Sequence, residues 1–363
     1  MSIKKIAELA GVSIGTVDRV LHGRGRVSKE TKEKIERIAL KTSYRPNIMA
    51  SLLSKKRKVK VAIIMPQPDN DEYWQQSSAG VEEARKNWES LGVDLHPFHF
   101  SLSSIRSFET ASRKALSIVP NALILVPIFF HQGVQFVNAC NQKQIPVVIF
   151  NTHLPDSNPI GFIGTDSIQS GILAGELMNL ITRPSGELLV LHFDEDAKNS
   201  PHMIEKEKGF RDFFQNQTQR VKRVITTVAL KRNHHSEQLM RIFKMQHFSG
   251  VFVSTSKAFE VAEFLRMEKK TDVKLIGFDL ISMNIDYLKQ GLIHFLINQN
   301  PHKQTVLAIN SVCNYLLFNR PIANATLFPL DIVTRSNLSS FYLNQIPLQP
   351  PTNVVKRYEI RHP

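Results

Sequence analysis

The chain has 363 residues, of which 42% are apolar and 21% charged; this excludes a mini-protein and wholesale disorder, and at roughly 100–200 residues per domain it allows two to three folded units. The formal charge of +14 is concentrated, because residues 1–60 hold 16 of the 46 Lys and Arg but five of the 32 acids, leaving +3 for the other 303 residues. A localised cationic segment points to a polyanionic partner, with a solvated charged helix or basic arm as the plainer alternative.

From Ile3 to His22 the pattern predicts two short helices around a tight turn. Ile6, Ala7 and Leu9 form the expected buried face of the first helix, and Gly11 stands where positive φ is cheap. Ser13 is placed to cap the second helix, whose apolar face is Val17, Val20 and Leu21. This is helix-turn-helix spacing, although any amphipathic helical hairpin shares part of it. A third helix follows, with Ser28 as cap and Ile35, Ile38 and Ala39 facing inward. Tyr44-Arg45-Pro46-Asn47 stops it, because the Pro46 ring disfavours helix at Arg45. Ile48 to Ser54 is too short for a stable isolated helix but suited to becoming one when docked. Lys55-Lys56-Arg57-Lys58 then closes the basic segment.

The run Ile3-Lys4-Lys5-Ile6-Ala7-Glu8-Leu9-Ala10-Gly11-Val12-Ser13, Thr16-Val17-Asp18-Arg19-Val20-Leu21, Val27-Ser28 and Tyr44-Arg45-Pro46-Asn47, with Ala50 and Leu53, resembles the headpiece of LacI/GalR-type transcription regulators. The resemblance implies that the second helix enters the major groove of operator DNA. It places Ile14, Gly15 and Arg19 at base-reading positions, and Ser13 and Thr16 toward phosphates. It also matches Asn47, Ala50 and Leu53 to a hinge helix whose leucine wedges into the minor groove. Physical chemistry fits these roles: the Arg19 fork suits guanine O6 and N7, and Leu53 suits an unstacking wedge, a linker packing residue being its alternative. Asp18 stands where the family usually has a small hydroxyl residue, and Gly15 has no side chain with which to read a base.

Beyond Lys60, β-rich runs alternate with helical stretches. Strands are expected at Val59–Met65, Leu95–Phe100, Ala122–Ile128, Pro146–Asn151, Glu187–Phe193, Val224–Ala229, Gly250–Thr255 and Val273–Asp279. Helices are expected at Tyr73–Leu91, Gln169–Ile181 and Ala258–Lys270. Near-continuous apolar strands between helices mean parallel sheets covered on both faces, and so long a stretch favours two doubly wound lobes. The expected architecture is therefore a small all-α helix-turn-helix headpiece plus an α/β unit, which resembles the type I periplasmic-binding-protein fold that serves this family as effector domain. The expected divisions are residues 1–46 for DNA binding, 47–58 for hinge and linker, 59–345 for effector binding, and 346–363 for a tail. Lobe one takes about 59–164 and 299–328, and lobe two about 165–298 and 329–345.

Ligands of open α/β sheets bind beyond the carboxyl ends of the strands. Tyr73 and Trp74 after the first strand, Phe129 and Phe130 after the third, and Asn151 at the end of the fourth are thereby candidates. Asp166 is either a cleft residue or the cap of a helix starting near Ser167. By resemblance, Asn151, Asp279, Gln299 and Thr255 or Ser254 match polar positions that hold sugar hydroxyls. Ile204, five residues before Gly209-Phe210, stands where many sugar-binding relatives carry an arginine.

No nucleophile elbow or phosphate loop is present in the sequence, and Gly23-Arg24-Gly25 follows a helix where a dinucleotide fingerprint follows a strand. His96 with His99, and His234 with His235, lack companions at zinc-like spacing, so neither metal nor cofactor is expected. Cys140 and Cys313, far apart and in apolar surroundings, read as buried thiols. No secretory stretch opens the chain, and the run from Ala122 to Phe130 is about half the ~20 residues of a membrane span, so a cytoplasmic location is expected. The tail from Pro347 has no leucine heptads, which predicts a homodimer. The reading is a DNA-binding regulator, by resemblance a repressor, that answers to a small carbohydrate-like effector. A solute-binding protein shares the large unit but has no use for residues 1–58, and an enzyme lacks its motifs.

Overall fold

The computed structural model describes residues 3–21, 25, 27–42, 58–69, 71–193, 200–216, 223–231 and 234–343. Asn47, Ala50, Leu53 and the tail from residue 346 lie outside them. The chain separates between Lys58 and Val59 into two compact units.

The small unit holds helices α1 (Ile3–Ala10), α2 (Ile14–Leu21) and α3 (Lys29–Lys41). Gly11 makes the turn between the first two with φ +68°, a conformation costly for a residue with a Cβ. Ile6, Ala7, Ala10, Val17, Val20 and Ile35 form its core, with Leu21, Ile38 and Ala39 packed around. Leu9 is not among them: it is 51% exposed, because positions 6, 7 and 10 share the helix face that meets α2 and α3. Ser28 caps α3 by accepting from the Thr31 amide at 3.4 Å.

The large unit begins with β1 (Val59–Pro66), α4 (Glu72–Trp88), β2 (Val93–Phe100), α5 (Ile105–Ser117) and β3 (Ala122–Leu125). Then come α6 (Phe130–Gln142), β4 (Val147–Asn151), β5 (Gly161–Gly164) and α7 (Ser167–Ile181). The middle of the unit is β6 (Leu188–Phe193), α8 (Pro201–Gln215), β7 (Ile225–Leu230), α9 (His235–Met245) and β8 (Gly250–Val253). It closes with α10 (Ala258–Met267), β9 (Lys274–Phe278), α11 (Ser282–Lys289), β10 (Phe295–Asn298), α12 (Pro301–Phe318), β11 (Ala325–Leu327), β12 (Asp331–Val333) and α13 (Leu338–Leu343). The third strand stops at Leu125, short of Ile128, since Pro127 has no N–H to continue the ladder.

Two six-stranded sheets result, in the orders β11-β5-β4-β3-β1-β2 and β12-β10-β9-β8-β6-β7. Among the described residues all strand pairings are parallel except β10 with β12. Each strand order reverses once, between β1 and β3 in the first lobe and between β6 and β8 in the second, the topological position at which such sheets take ligands. The chain passes between lobes three times, after β5, after β10 and between β11 and β12. These passages cluster, because β5 pairs with β11 and β10 with β12.

Glycines let helices approach where positions must be fixed. A Cβ on Gly171 of α7 would lie 1.9 Å from the Lys206 carbonyl of α8, and one on Gly209 would lie 2.0 Å from the Ile168 carbonyl. The two helices therefore cross backbone to backbone, which fixes α8 against the sheet.

Candidate functional site: a two-lobed cleft and a helix-turn-helix face

A cavity of about 470 Å³ lies beyond the carboxyl ends of both sheets. It is within the size range of small-molecule sites. The first lobe supplies Tyr73, Trp74 and Asn151; the second supplies Lys206, Thr255, Asp279 and Gln299. Asn151 ends β4 with φ 74° and Asp279 follows β9 with φ 68°. β4 and β9 occupy equivalent places in the two sheet orders, so both lobes turn a polar side chain into the cleft by the same left-handed step. Asn and Asp tolerate that conformation better than most residues.

Asp279 is buried, and Gln299 donates to its carboxylate from its backbone N at 3.2 Å and from Nε2 at 3.1 and 2.9 Å. Burial pushes this carboxyl up to about 6, offset in part by Lys206 and the Gln299 bonds. Lys206 Nζ donates to the Ser254 carbonyl at 3.2 Å and to Gln299 Oε1 at 3.3 Å, and sits 3.8 Å above the Phe278 ring. Thr165 also donates to Gln299 Oε1, at 3.4 Å. A buried cation, a buried carboxylate and an amide thus hold one another in fixed orientation. Polar groups arranged this way present donors and acceptors to a hydroxylated ligand without prior rearrangement.

On the first-lobe side, Asn151 Nδ2 donates to the Tyr73 hydroxyl, and Asp71 caps α4 through the Tyr73 and Trp74 amides. Burial, then the negative charges of Asp279 and Asp71, hold the Tyr73 phenol well above its usual range, so it is a neutral donor. The rings of Tyr73 and Trp74 meet edge to face at 4.9 Å. Behind the second-lobe wall, His192 links the Ser254 hydroxyl (2.7 Å) to Glu207 (2.9 Å), which also accepts from Arg211 and Thr227. Burial opposes ionisation of Glu207, but those bonds prevail and lower it to about 2. The His202 imidazole, also in the cleft wall, is lowered to about 3 by burial and by Lys206 and His192.

Phe129 is not brought into the cleft. Its ring lies 6.0 Å from Phe100 and 5.9 Å from Phe108, in an aromatic cluster under α5. Asp166 serves as the cap of α7, accepting from the Gln169 amide at 2.9 Å. Ile204 is 45% exposed on α8, away from the cleft. The cation comes instead from Lys206, which sequence reading missed. The available signal was the helix face: Met203, Lys206, Gly209 and Phe210 are the buried positions of α8, and stepping back from Gly209 by three leads to 206, whereas five leads off that face. Among the described residues no helix is long and apolar enough to cross a membrane, and no group of three or more His, Cys, Asp or Glu is placed to hold a metal.

In the small unit, Ser13 caps α2, accepting from the Thr16 amide at 3.1 Å, with the two hydroxyls 2.9 Å apart. Ile14 is 52% exposed beside the exposed Gly15 and Arg19, and Arg19 Nε donates to the Gly15 carbonyl at 3.2 Å. The outer face of α2 thus carries an apolar residue, a bare backbone and a guanidinium on a helix of a positively charged unit.

A helix-turn-helix unit joined to a two-lobed parallel α/β unit with a polar cleft defines a ligand-responsive DNA-binding regulator. Residues 61–320 match the model of the periplasmic binding protein domain, and residues 2–47 that of bacterial regulatory proteins, lacI family. The HTH-type transcriptional regulator DegA of Bacillus subtilis is 22% identical over 283 residues, covering 77% of this chain and 81% of DegA. Catabolite control protein A of Staphylococcus aureus is 28% identical over 184 residues, covering 49% of this chain and 52% of that protein, so this match spans about half its length. Among solved structures, a putative LacI transcriptional regulator from Bacteroides fragilis superposes with TM-score 0.74 at 25% identity, over 78% of this chain and 99% of that one. GanP, a glucose-galactose binding protein from Geobacillus stearothermophilus, shares the fold with TM-score 0.68 at 21% identity, over 78% and 99% of the two chains. The chain belongs to the periplasmic-binding-protein domain family, and its residues 2–47 match the headpiece of bacterial regulatory proteins, lacI family.

Proposed function

We propose that this regulator is a cytoplasmic homodimeric repressor without enzymatic activity, whose operator affinity is set by a sugar or sugar derivative bound between the lobes. Residues 1–46 read a half-site, 47–58 form the hinge, and 59–345 sense the effector. Arg19 reads bases with Ile14 and Gly15, while Ser13 and Thr16 meet phosphates. Asn47, Ala50 and Leu53 engage the minor groove at the operator centre. The observation that carries the effector assignment is the Asp279–Gln299–Lys206 group facing Tyr73 and Asn151 across one cavity. Paired acceptors and donors from both lobes, beside aromatic rings, fit a hydroxylated ring. A ligand held by both lobes favours one angle between them and so biases the spacing of the hinges. Such coupling is typically about 1–3 kcal/mol and reciprocal. The test is a thermal-shift screen over sugars, sugar phosphates, sugar acids and nucleosides, followed by a mobility shift on the chain's own upstream region with each hit. A hit that raises the melting temperature and changes operator affinity is expected. Absence of DNA binding at low ionic strength, with and without hits, would overturn the reading.

A further inference from the structure

We propose that Glu72 and Ser282 form a latch between the lobes that sets their angle, a positioning role distinct from ligand contact. It rests on the proposed ligand response only in giving that response its mechanical element. Glu72 lies in the first turn of α4 in the first lobe. Both its carboxylate oxygens accept from the Ser282 amide at 2.8 Å, and Oε1 also accepts from the Ser282 hydroxyl at 2.8 Å. One turn on, Gln76 Nε2 donates to the Leu280 carbonyl at 2.9 Å. Ser282 is the first residue of α11 in the second lobe, and the preceding Ile281 offers no side-chain cap. The free N–H groups of a helix start need an acceptor, and an anion there is favoured by the helix dipole. The first lobe therefore supplies the cap for a helix of the second.

Sequence proximity ties the latch to the cleft on both sides. Asp71, Tyr73 and Trp74, which flank Glu72, line the cavity, as does Asp279, three residues before Ser282. A contact that bridges the lobes favours the lobe angle seen here independently of any ligand, and a ligand shifting Tyr73 or Asp279 acts on the same equilibrium.

Position 282 permits a clean test. Proline is favoured at the first position of a helix, and Ile281 has φ −93° and ψ 155°, the conformation that precedes proline. Ser282→Pro thus deletes the amide and hydroxyl donors while leaving α11 able to form. The full-length chain is spin-labelled at Asn87→Cys and Gln290→Cys, both exposed, the native Cys140 and Cys313 being buried. Distances between labels and hydrogen exchange of the Ile285 amide, which closes the first turn of α11 by donating to the Ile281 carbonyl at 3.0 Å, are measured without effector or DNA. Glu72→Ala and Ser282→Pro are each expected to add a longer distance and to speed exchange about three- to tenfold, the range for a partly exposed charge-assisted bond. The double variant is expected to go no further than either single one, because both remove the same contact. Wild-type distances and exchange in Ser282→Pro, or additive effects in the double variant, would overturn the latch. Should Glu72→Ala fail to fold, Ser282→Pro alone decides. Because no operator is present, this outcome is separate from whether the protein regulates transcription.

Discussion

Replacing Asp279 by Asn gives a pH-dependent change in stability whose size follows from its surroundings. The folded carboxyl titrates at about 6 against an ordinary 3.8, because burial outweighs Lys206 and Gln299. At 1.36 kcal/mol per unit this is about 3 kcal/mol. The folded state binds this proton more tightly than the unfolded chain does. Stability from this group is therefore fully present below pH about 4, declines as pH rises through about 6, and is level above. Asn carries no charge and has no such decline. His202, lowered to about 3, and His294, lowered to about 4, give opposite slopes in overlapping windows, but both proteins contain them. The informative quantity is the difference in unfolding free energy, variant minus wild type. It is expected to rise by about 2 kcal/mol between pH 4 and pH 7 in urea titrations of the full-length chain, the rest of the difference lying below pH 4. A difference curve flat across that interval would show that Asp279 is not held as a buried, disfavoured carboxylate.

Lys206→Met removes a positive charge that favours the Asp279 carboxylate, so the Asp279 transition is expected to move upward in pH in the same titrations, with loss of any thermal shift given by effector hits. Gly171→Ala forces α7 off α8 and is expected to cost about 3 kcal/mol of stability by chemical denaturation, with effector affinity falling because the obstructing atom is the carbonyl of Lys206 itself. Arg19→Ala is expected to lose about 1–3 kcal/mol of discrimination between operator and base-substituted operator in mobility shifts, while non-specific binding at low salt persists. Leu53→Ala, at a position known from sequence alone, is expected to reduce both operator affinity and DNA bending in a permuted-fragment assay.

Much of the architecture was legible because its signals are local. Buried parallel strands are continuous apolar runs, and the helix-turn-helix needs only a glycine turn and a few small apolar residues. The rule that strand ends face the cleft pointed to Asn151, and the family resemblance to Asp279, and both line the cavity. It failed for Phe129, since the residue after a strand has two sides to turn toward and an aromatic cluster with Phe100 and Phe108 claimed it. Lys206 was hidden for the opposite reason. A lysine within an amphipathic helix reads as solvated, and only the packed glycine crossing shows that its face is inward. Glu72 and Ser282, 210 residues apart, leave no mark that periodicity or spacing registers.

The three backbone passages between the lobes lie side by side at the edges where β5 meets β11 and β10 meets β12. Neighbouring pivots favour swinging of one lobe against the other over twisting or sliding. A molecule held by both lobes would then register chiefly as a change in that one angle.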